Sequence, residues 1–289
     1  MDVFLLNLIN GISLGAMYAL VALGLSLIFG VARLVNFAHG DLFMLSGYLL
    51  VWLYTINHLP YWLAVVLTIV GMAVFGILFE RVVIRPVLEQ SWRVQLIATL
   101  AASIFLSSFA ILAWGTTPQE APTHLSREIL RLGPVNIAYQ RIILVAAALL
   151  AFAALSQFIH RSKIGKAMRA IAQNREACIV YGIDVQKVSA VTVSIGAGLA
   201  ALAAGLITPL YNVWPAVGSL LTLKALAAVV MGGLGETTGA IYAAFILGIS
   251  EALFGGYISY EYRDVCAFVV LIFVLLYRPQ GIFGKKVGT

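Results

Sequence analysis

The stretch Arg161–Lys187 reads RSKIGKAMRAIAQNREACIVYGIDVQK. It holds six of the chain's eighteen Lys and Arg residues and lies between two apolar runs, Ile142–His160 and Val188–Ile207. Each run is close to the ~20 residues an α-helix needs to cross hydrocarbon. A charged connection between two segments of membrane length is the pattern from which the rest is read.

Working outward, the same length test gives seven further candidate spans: Ile12–Gly30, Leu42–Ile56, Tyr61–Phe79, Leu96–Trp114, Leu220–Leu234, Ala240–Phe254 and Val265–Tyr277. Several are short for a simple rod, so eight or nine spans are expected. The fold class is all-α, a polytopic membrane bundle forming a single domain over 1–289. Composition agrees: the chain is 62% hydrophobic and 10% charged, with mean hydropathy +1.01. Soluble domains carry about 25% charged residues, so this chain cannot cover itself with polar surface in water. An outer-membrane barrel would need repeated alternating segments of about ten residues, and alternation is not sustained anywhere. No Lys or Arg precedes Arg33, so the first apolar run lacks the basic flank of a secretory signal and is expected to stay in the mature protein.

Basic residues orient the bundle. Arg33, Arg81, Arg85, Arg93, the six of Arg161–Lys187, Arg278, Lys285 and Lys286 fall on one side, thirteen in all. Arg127, Arg131, Arg141 and Arg263 fall on the other. Excess positive charge marks the cytoplasmic side. The 161–187 loop and the C-terminus are therefore expected inside, and 115–140, with Pro118, Pro122 and Pro134, is expected as an external loop. The +6 net charge serves this orientation rather than nucleic-acid binding.

Two polar interruptions stand out. Asn36-Phe-Ala-His-Gly-Asp41 joins the first two spans, and Met231-Gly-Gly-Leu-Gly-Glu-Thr-Thr-Gly239 joins the seventh and eighth. Broken helices in transporters place backbone and polar side chains where a solute passes. Broken or re-entrant segments are thus expected near 31–41 and 220–240, with Asn36, His39, Gly40, Asp41, Gly232, Gly233, Gly235 and Glu236 as pathway or gating residues. The alternative at each place is a short turn on the cytoplasmic side, with Asp41 or Glu236 starting the next helix. Gly11–Gly15 and Gly235–Gly239 fit GxxxG, and small residues crowd 196–205, which suits close helix packing. Lys224 is expected to snorkel to the outer surface. Glu80 is expected at an interface beside Arg81. Glu251 is expected in packing or local pairing rather than on substrate.

Enzyme motifs fail their context. Gly11-Ile-Ser-Leu-Gly15 matches GxSxG, but a nucleophile elbow needs a strand–turn–helix. HExxH and the P-loop pattern are absent. The two cysteines and four histidines show no ligand spacing, so no metal, cofactor or catalytic group is expected.

Within 161–187, Lys163, Lys166, Arg169 and Gln173 recur at helical spacing, with Ile164, Met168 and Ile171 on another face. Asn174 is placed to cap a second helix, Arg175–Tyr181, and Gly182 to stop it. Such a pair, held between two spans, would act as a lever; the alternative is an amphipathic helix resting on anionic lipid.

Glu176-Ala-Cys-Ile-Val-Tyr-Gly182 resembles the EAA-xxx-G loop of ABC-importer permeases, with Cys178 in place of the second Ala and no Ile-x-Leu-Pro beyond it. Gly15-Ala-Met-Tyr-Ala-Leu, Leu27-Ile-Phe-Gly-Val, Asn36-Phe-Ala-His-Gly-Asp, Arg169-Ala-Ile-Ala-Gln-Asn, Gly182-Ile-Asp, Met231-Gly-Gly-Leu-Gly and Tyr277-Arg-Pro-Gln-Gly-Ile-Phe-Gly resemble, in order, the branched-chain amino acid ABC permease family. The resemblance implies a bacterial inner-membrane permease with a sister permease, two cytoplasmic ATPase subunits and an external solute-binding protein, in contact with lipid. It implies that Arg169, Glu176, Ala177, Gly182 and Asp184 couple the chain to an ATPase. Related permeases for urea or short amides share these motifs. A self-sufficient carrier or channel is the alternative of another class, and it would need paired charges inside the membrane, of which few are evident.

Overall fold

A computed structural model describes residues 2–132 and 135–284. Its helices are α1 (Asp2–Ala32), α2 (His39–Val51), α3 (Tyr61–Phe79), α4 (Trp92–Trp114), α5 (His124–Arg127), α6 (Tyr139–Arg161), α7 (Lys163–Gln173), α8 (Arg175–Val180), α9 (Val185–Ile207), α10 (Val217–Gly232), α11 (Thr237–Tyr257) and α12 (Arg263–Tyr277). An antiparallel hairpin, β1 (Ile129–Leu132) and β2 (Val135–Ala138), precedes α6. Apolar helices occupy all nine candidate spans. Among the described residues, six are long and apolar enough to cross a membrane: Val3–Ala32, Tyr61–Val87, Trp92–Trp114, Tyr139–Arg161, Val185–Ile207 and Thr237–Tyr257. The helices α2, α10 and α12 are shorter.

The centre and rim are set by side-chain size. In α1, 78% of the apolar window is buried, against 22% in α4 and 17% in α6. α1 packs on α11 because both are small where they meet. A Cβ on Gly11 would come 2.6 Å from Ile249 Cα, one on Gly15 2.8 Å from Phe245 Cα, and one on Gly248 would overlap the Gly15 backbone. The close packing expected of Gly11–Gly15 is thus present. Gly235–Gly239 is different: it spans a turn, and its two glycines pack on different neighbours, Gly235 on Gly30 and Gly239 on Gly232. The rim helices expose Val66, Val70 and Val74 of α3, Ile104, Phe105 and Leu112 of α4, and Leu149 and Leu150 of α6. Apolar surface this extensive suits hydrocarbon as solvent, where the helical backbone satisfies its own polar groups.

The helix breaks fall where the glycines and polar residues put them. α1 ends at Ala32, Arg33 takes φ +52°, and the chain folds back so that His39 sits beside Gly24. Gly24 lies eight residues before the end of α1, so α2 starts well inside the bundle rather than at its edge. Between α10 and α11, Gly233 and Gly235 take φ +110° and +83°, the region only glycine enters without steric cost. The 233–236 turn lies against Gly30, and Ile282 and Phe283 donate to the carbonyls of Met231 and Gly232.

Three expectations need correction. Lys224 does not snorkel: it is 3% exposed and ion-paired, because partners on three other helices converge on it. Glu80 is also buried, and its ion pair is with Arg85, not Arg81: the π-helical segment Glu80–Ile84 turns those two side chains together at 2.9 Å. The 115–140 segment contains the β1–β2 hairpin, whose four-residue strands are too short to show alternation. Pro134, Lys285 and Lys286 lie outside the described residues.

Candidate coupling and translocation site

Charged side chains gather at one end. Arg33 donates to the Ala172 carbonyl (3.0 Å), Arg85 approaches Gln186 (3.4 Å), and Arg175 pairs with Glu89 (3.5 Å). These contacts place the 33–38, 85–91 and 161–187 segments together, and the 278–284 tail docks on the adjacent α10–α11 turn.

The 161–187 segment folds as two capped helices. Ser162 Oγ accepts from Gly165 N at 2.8 Å and starts α7; Asn174 Oδ1 accepts from Ala177 N at 3.0 Å and starts α8. Gly182, at φ +78°, ends α8, with Ile183 N donating to the Cys178 carbonyl. Asp184 Oδ1 accepts from Lys187 N at 3.0 Å and starts α9. That backbone bond, with the Lys187 side chain beside it, holds the Asp184 carboxyl below the usual carboxylate range. α7 buries Gly165, Met168 and Ile171 and exposes Lys163, Lys166, Arg169 and Gln173. Ile164, expected on the buried face, is exposed.

Of the residues expected to couple, Arg169, Glu176, Gly182 and Asp184 are exposed and Ala177 is half-buried. Sequence reading missed the residues at the tip of α8. Val180 and Tyr181 are 84% and 85% exposed, and Ile179 is exposed beside them. An apolar knob on the most charged end of the molecule is unsuited to water, and its signal in the sequence was the Cys-Ile-Val-Tyr run before Gly182.

A groove of about 730 Å³ separates the end of α1 from α7 and from the α10–α11 turn. Arg33, Met168, Arg169, Gly235 and Glu236 line it. The structure thus brings Arg169 of the expected coupling set to Gly235 and Glu236 of the expected pathway set. Gly232 and Gly233 belong to the same turn.

The remaining pathway candidates lie deeper. α2 and α10 meet at their N-termini. Gly40 N donates to Thr222 Oγ1 at 2.8 Å, and Thr222 Oγ1 donates back to the Gly218 carbonyl at 2.9 Å. A Cβ on Gly40 would overlap the Gly218 carbonyl, and one on Gly218 would overlap Asp41. Asn36, His39 and Asp41 are fully buried here. Asn36 Oδ1 accepts from Ala38 N at 3.1 Å. Its Nδ2 has no hydrogen-bond partner among the described residues, and the His39 ring nitrogens and Asp41 carboxylate oxygens make no hydrogen bond of good geometry there, although the Val21 backbone faces His39. Ser103 of α4 faces Asp41. Asp41 lies in the first turn of α2 and against the first turn of α10, so the positive ends of two helix dipoles bear on its charge.

At the far end, α9 ends at Ile207 and an irregular segment leads down to α10; Gln119 and Val213 bridge it to the 115–140 loop. Beneath it is a cavity of about 350 Å³. Lys224 Nζ at its edge donates to Glu251 Oε1 (2.7 Å), Asp264 Oδ1 (2.6 Å) and Tyr18 OH (3.0 Å). Tyr18 OH donates to Glu251 Oε2 at 2.9 Å. The ammonium has three donors and three acceptors, which is what makes its burial tolerable. Arg263 joins more loosely, with Nε 3.7 Å from Glu251 and 3.8 Å from Asp264.

The family described as branched-chain amino acid transport system / permease component matches residues 7–275. The chain belongs to that family. It is 34% identical over 295 residues to the high-affinity branched-chain amino acid transport system permease protein BraD of Pseudomonas aeruginosa, covering 98% of this chain and 96% of that one. It is 35% identical over 295 residues to LivH of Escherichia coli K12, with the same coverage, and 29% identical over 279 residues to a probable LivH of Methanocaldococcus jannaschii, covering 92% and 88%. No solved structure gives a significant match. Family membership bears out the resemblance drawn from the motifs between Gly15 and Gly284.

Proposed function

We propose that the chain is a transmembrane permease subunit of an ATP-driven importer for branched-chain or related amino acids. The observation that carries this reading is the family match across 7–275, with the near full-length similarity to permeases of that name in two bacteria. The chain makes and breaks no covalent bond itself. It works with a sister permease, two cytoplasmic ABC ATPase subunits and an external solute-binding protein, in a bacterial inner membrane. All nine apolar helices lie in the membrane, with α2 and α10 entering part-way, and α7, α8 and the C-terminus face the cytoplasm.

In this reading the α8 knob of Ile179, Val180 and Tyr181, with Glu176, Ala177, Gly182 and Asp184 around it, seats in a cleft of an ATPase subunit. Its displacement reaches the interior by two routes. One is Arg33, whose guanidinium on Ala172 ties α7 to the end of α1 and to the Asn36–Asp41 segment. The other is the groove where Arg169 faces the α10–α11 turn at Gly235 and Glu236. Both routes lead to the α2–α10 junction, where unpaired polar groups are suited to a gate that gains partners in another state. Substrate loading outside and nucleotide binding inside are then coupled in both directions.

The test is uptake in proteoliposomes that hold the full assembly. Leucine, isoleucine and valine should accumulate with ATP and the binding protein, and with neither alone. Accumulation by the purified chain alone, or uptake indifferent to ATP, would overturn the reading.

A further inference from the structure

The cavity under the 208–216 segment is neither the α2–α10 junction nor the coupling groove, and its two walls differ. One is apolar: Phe43, Leu210, Val213, Trp214, Leu220 and Leu221. The other is ionic: Lys224, Glu251 and Arg263, with Asp264 bonded to Lys224 behind them. The lining groups are two cations and one carboxylate, and the Asp264 carboxylate bonded to Lys224 behind them brings the cluster to zero. Its members are not equally occupied. Lys224 has used its three donors. Arg263 has five N–H donors and no hydrogen bond within 3.5 Å among the described residues; its guanidinium lies 4.4 Å over the Tyr260 ring and is 29% exposed. Asp264 has one oxygen on Lys224 and the other without a hydrogen bond among the described residues.

We propose that this cavity takes one aliphatic α-amino acid as its zwitterion. The carboxylate lies on the Arg263 fork, which matches it in two parallel hydrogen bonds. The ammonium lies against Glu251, and the side chain fills the apolar wall. A neutral dipolar solute suits a cluster that presents both signs and carries no net charge, whereas an inorganic ion would leave one sign uncompensated. The volume is at the small end for ligand pockets, fit for a metabolite rather than a peptide. Urea has neither an apolar body to fill this wall nor charges to meet the other. The permease itself, and not only its binding protein, therefore reads the solute. This inference rests on the importer reading above.

The experiment uses the full assembly in proteoliposomes, with labelled leucine and alanine each supplied at saturating binding protein. Arg263→Gln should lower leucine uptake at least about tenfold, as expected when the cationic partner of the solute's carboxylate is removed, and Arg263→Lys should restore part of it. Leu210→Trp, in an irregular segment that tolerates bulk, should fill the apolar wall and lower the leucine-to-alanine uptake ratio about tenfold. A brace that merely holds α10, α11 and α12 together would depress both solutes equally in either variant. An unchanged ratio in Leu210→Trp, or full leucine uptake in Arg263→Gln, overturns the inference while wild-type uptake leaves the importer reading standing. Absence of ATP-driven leucine uptake in the wild type overturns both.

Discussion

The two polar regions inside this bundle are built on opposite terms. At the far end, Lys224, Glu251, Tyr18 and Asp264 are joined by four hydrogen bonds of 2.6–3.0 Å. At the α2–α10 junction, Asn36, His39 and Asp41 are at least as deeply buried and, apart from the Asn36 turn, their side chains make none of good geometry among the described residues. A satisfied network is a structural asset, because its members have no better alternative. An unsatisfied one is a reservoir: unpaired buried polar groups cost free energy that another conformation can recover. Breaking the Lys224 ion pairs should cost stability, whereas changes at the junction should cost activity while the fold survives.

That contrast breaks first at Lys224. Lys224→Ala strands the Glu251 carboxylate in the bundle, and loss of one partner of a buried pair costs about 3–5 kcal/mol. Thermal unfolding in detergent should drop sharply, and Lys224→Met with Glu251→Gln should recover most of the loss. A single variant as stable as wild type would mean that the network holds nothing. Next comes Asp41→Asn, which removes the carboxyl while keeping the side chain's shape and its approach to Ser103. Its unfolding temperature should stay at or above wild type, with a change below about 1 kcal/mol, while uptake by the assembly falls about tenfold or more. Collapse of the fold, or normal uptake, would erase the distinction between the two regions. The smallest effect on stability is expected at Gly182. An added Cβ meets nothing within 4 Å, so Gly182→Val carries only the left-handed backbone cost of about 1–2 kcal/mol, confined to the end of α8. Insertion should be normal, and ATP hydrolysis should continue without solute uptake. Coupled transport in this variant would free the α8 knob from any role in transmission.

What the sequence disclosed follows from the range of the forces involved. Hydropathy is local, so all nine apolar helices were legible. Caps and stops are local too, which is why Asn174 and Gly182 could be placed at the ends of α8. The network at Lys224 could not be read this way. Glu251 is 27 residues away and Asp264 is 40, on different helices, and nothing periodic connects them. Read alone, a lysine in an apolar run is best placed at the surface; only assembly of α1, α10, α11 and α12 supplies its acceptors. The breaks at 33–38 and 233–236 were legible as breaks, but their depth was not. The sequence presents Gly40-Asp41 and Gly235-Glu236 alike, yet the first lies in the interior beside Gly218 and the second beside Gly30 near the coupling helices.

α1 runs 31 residues without interruption, about 46 Å at helical rise, and packs against α6, α9, α10 and α11 along the way. A mast with stays on every side cannot bow without slackening all of them. Movement therefore falls to the spars that are already cut: the 33–38 crook at its foot and the 208–216 descent near its head. Rocking at those two joints would open first one mouth of the protein and then the other while the mast stands still.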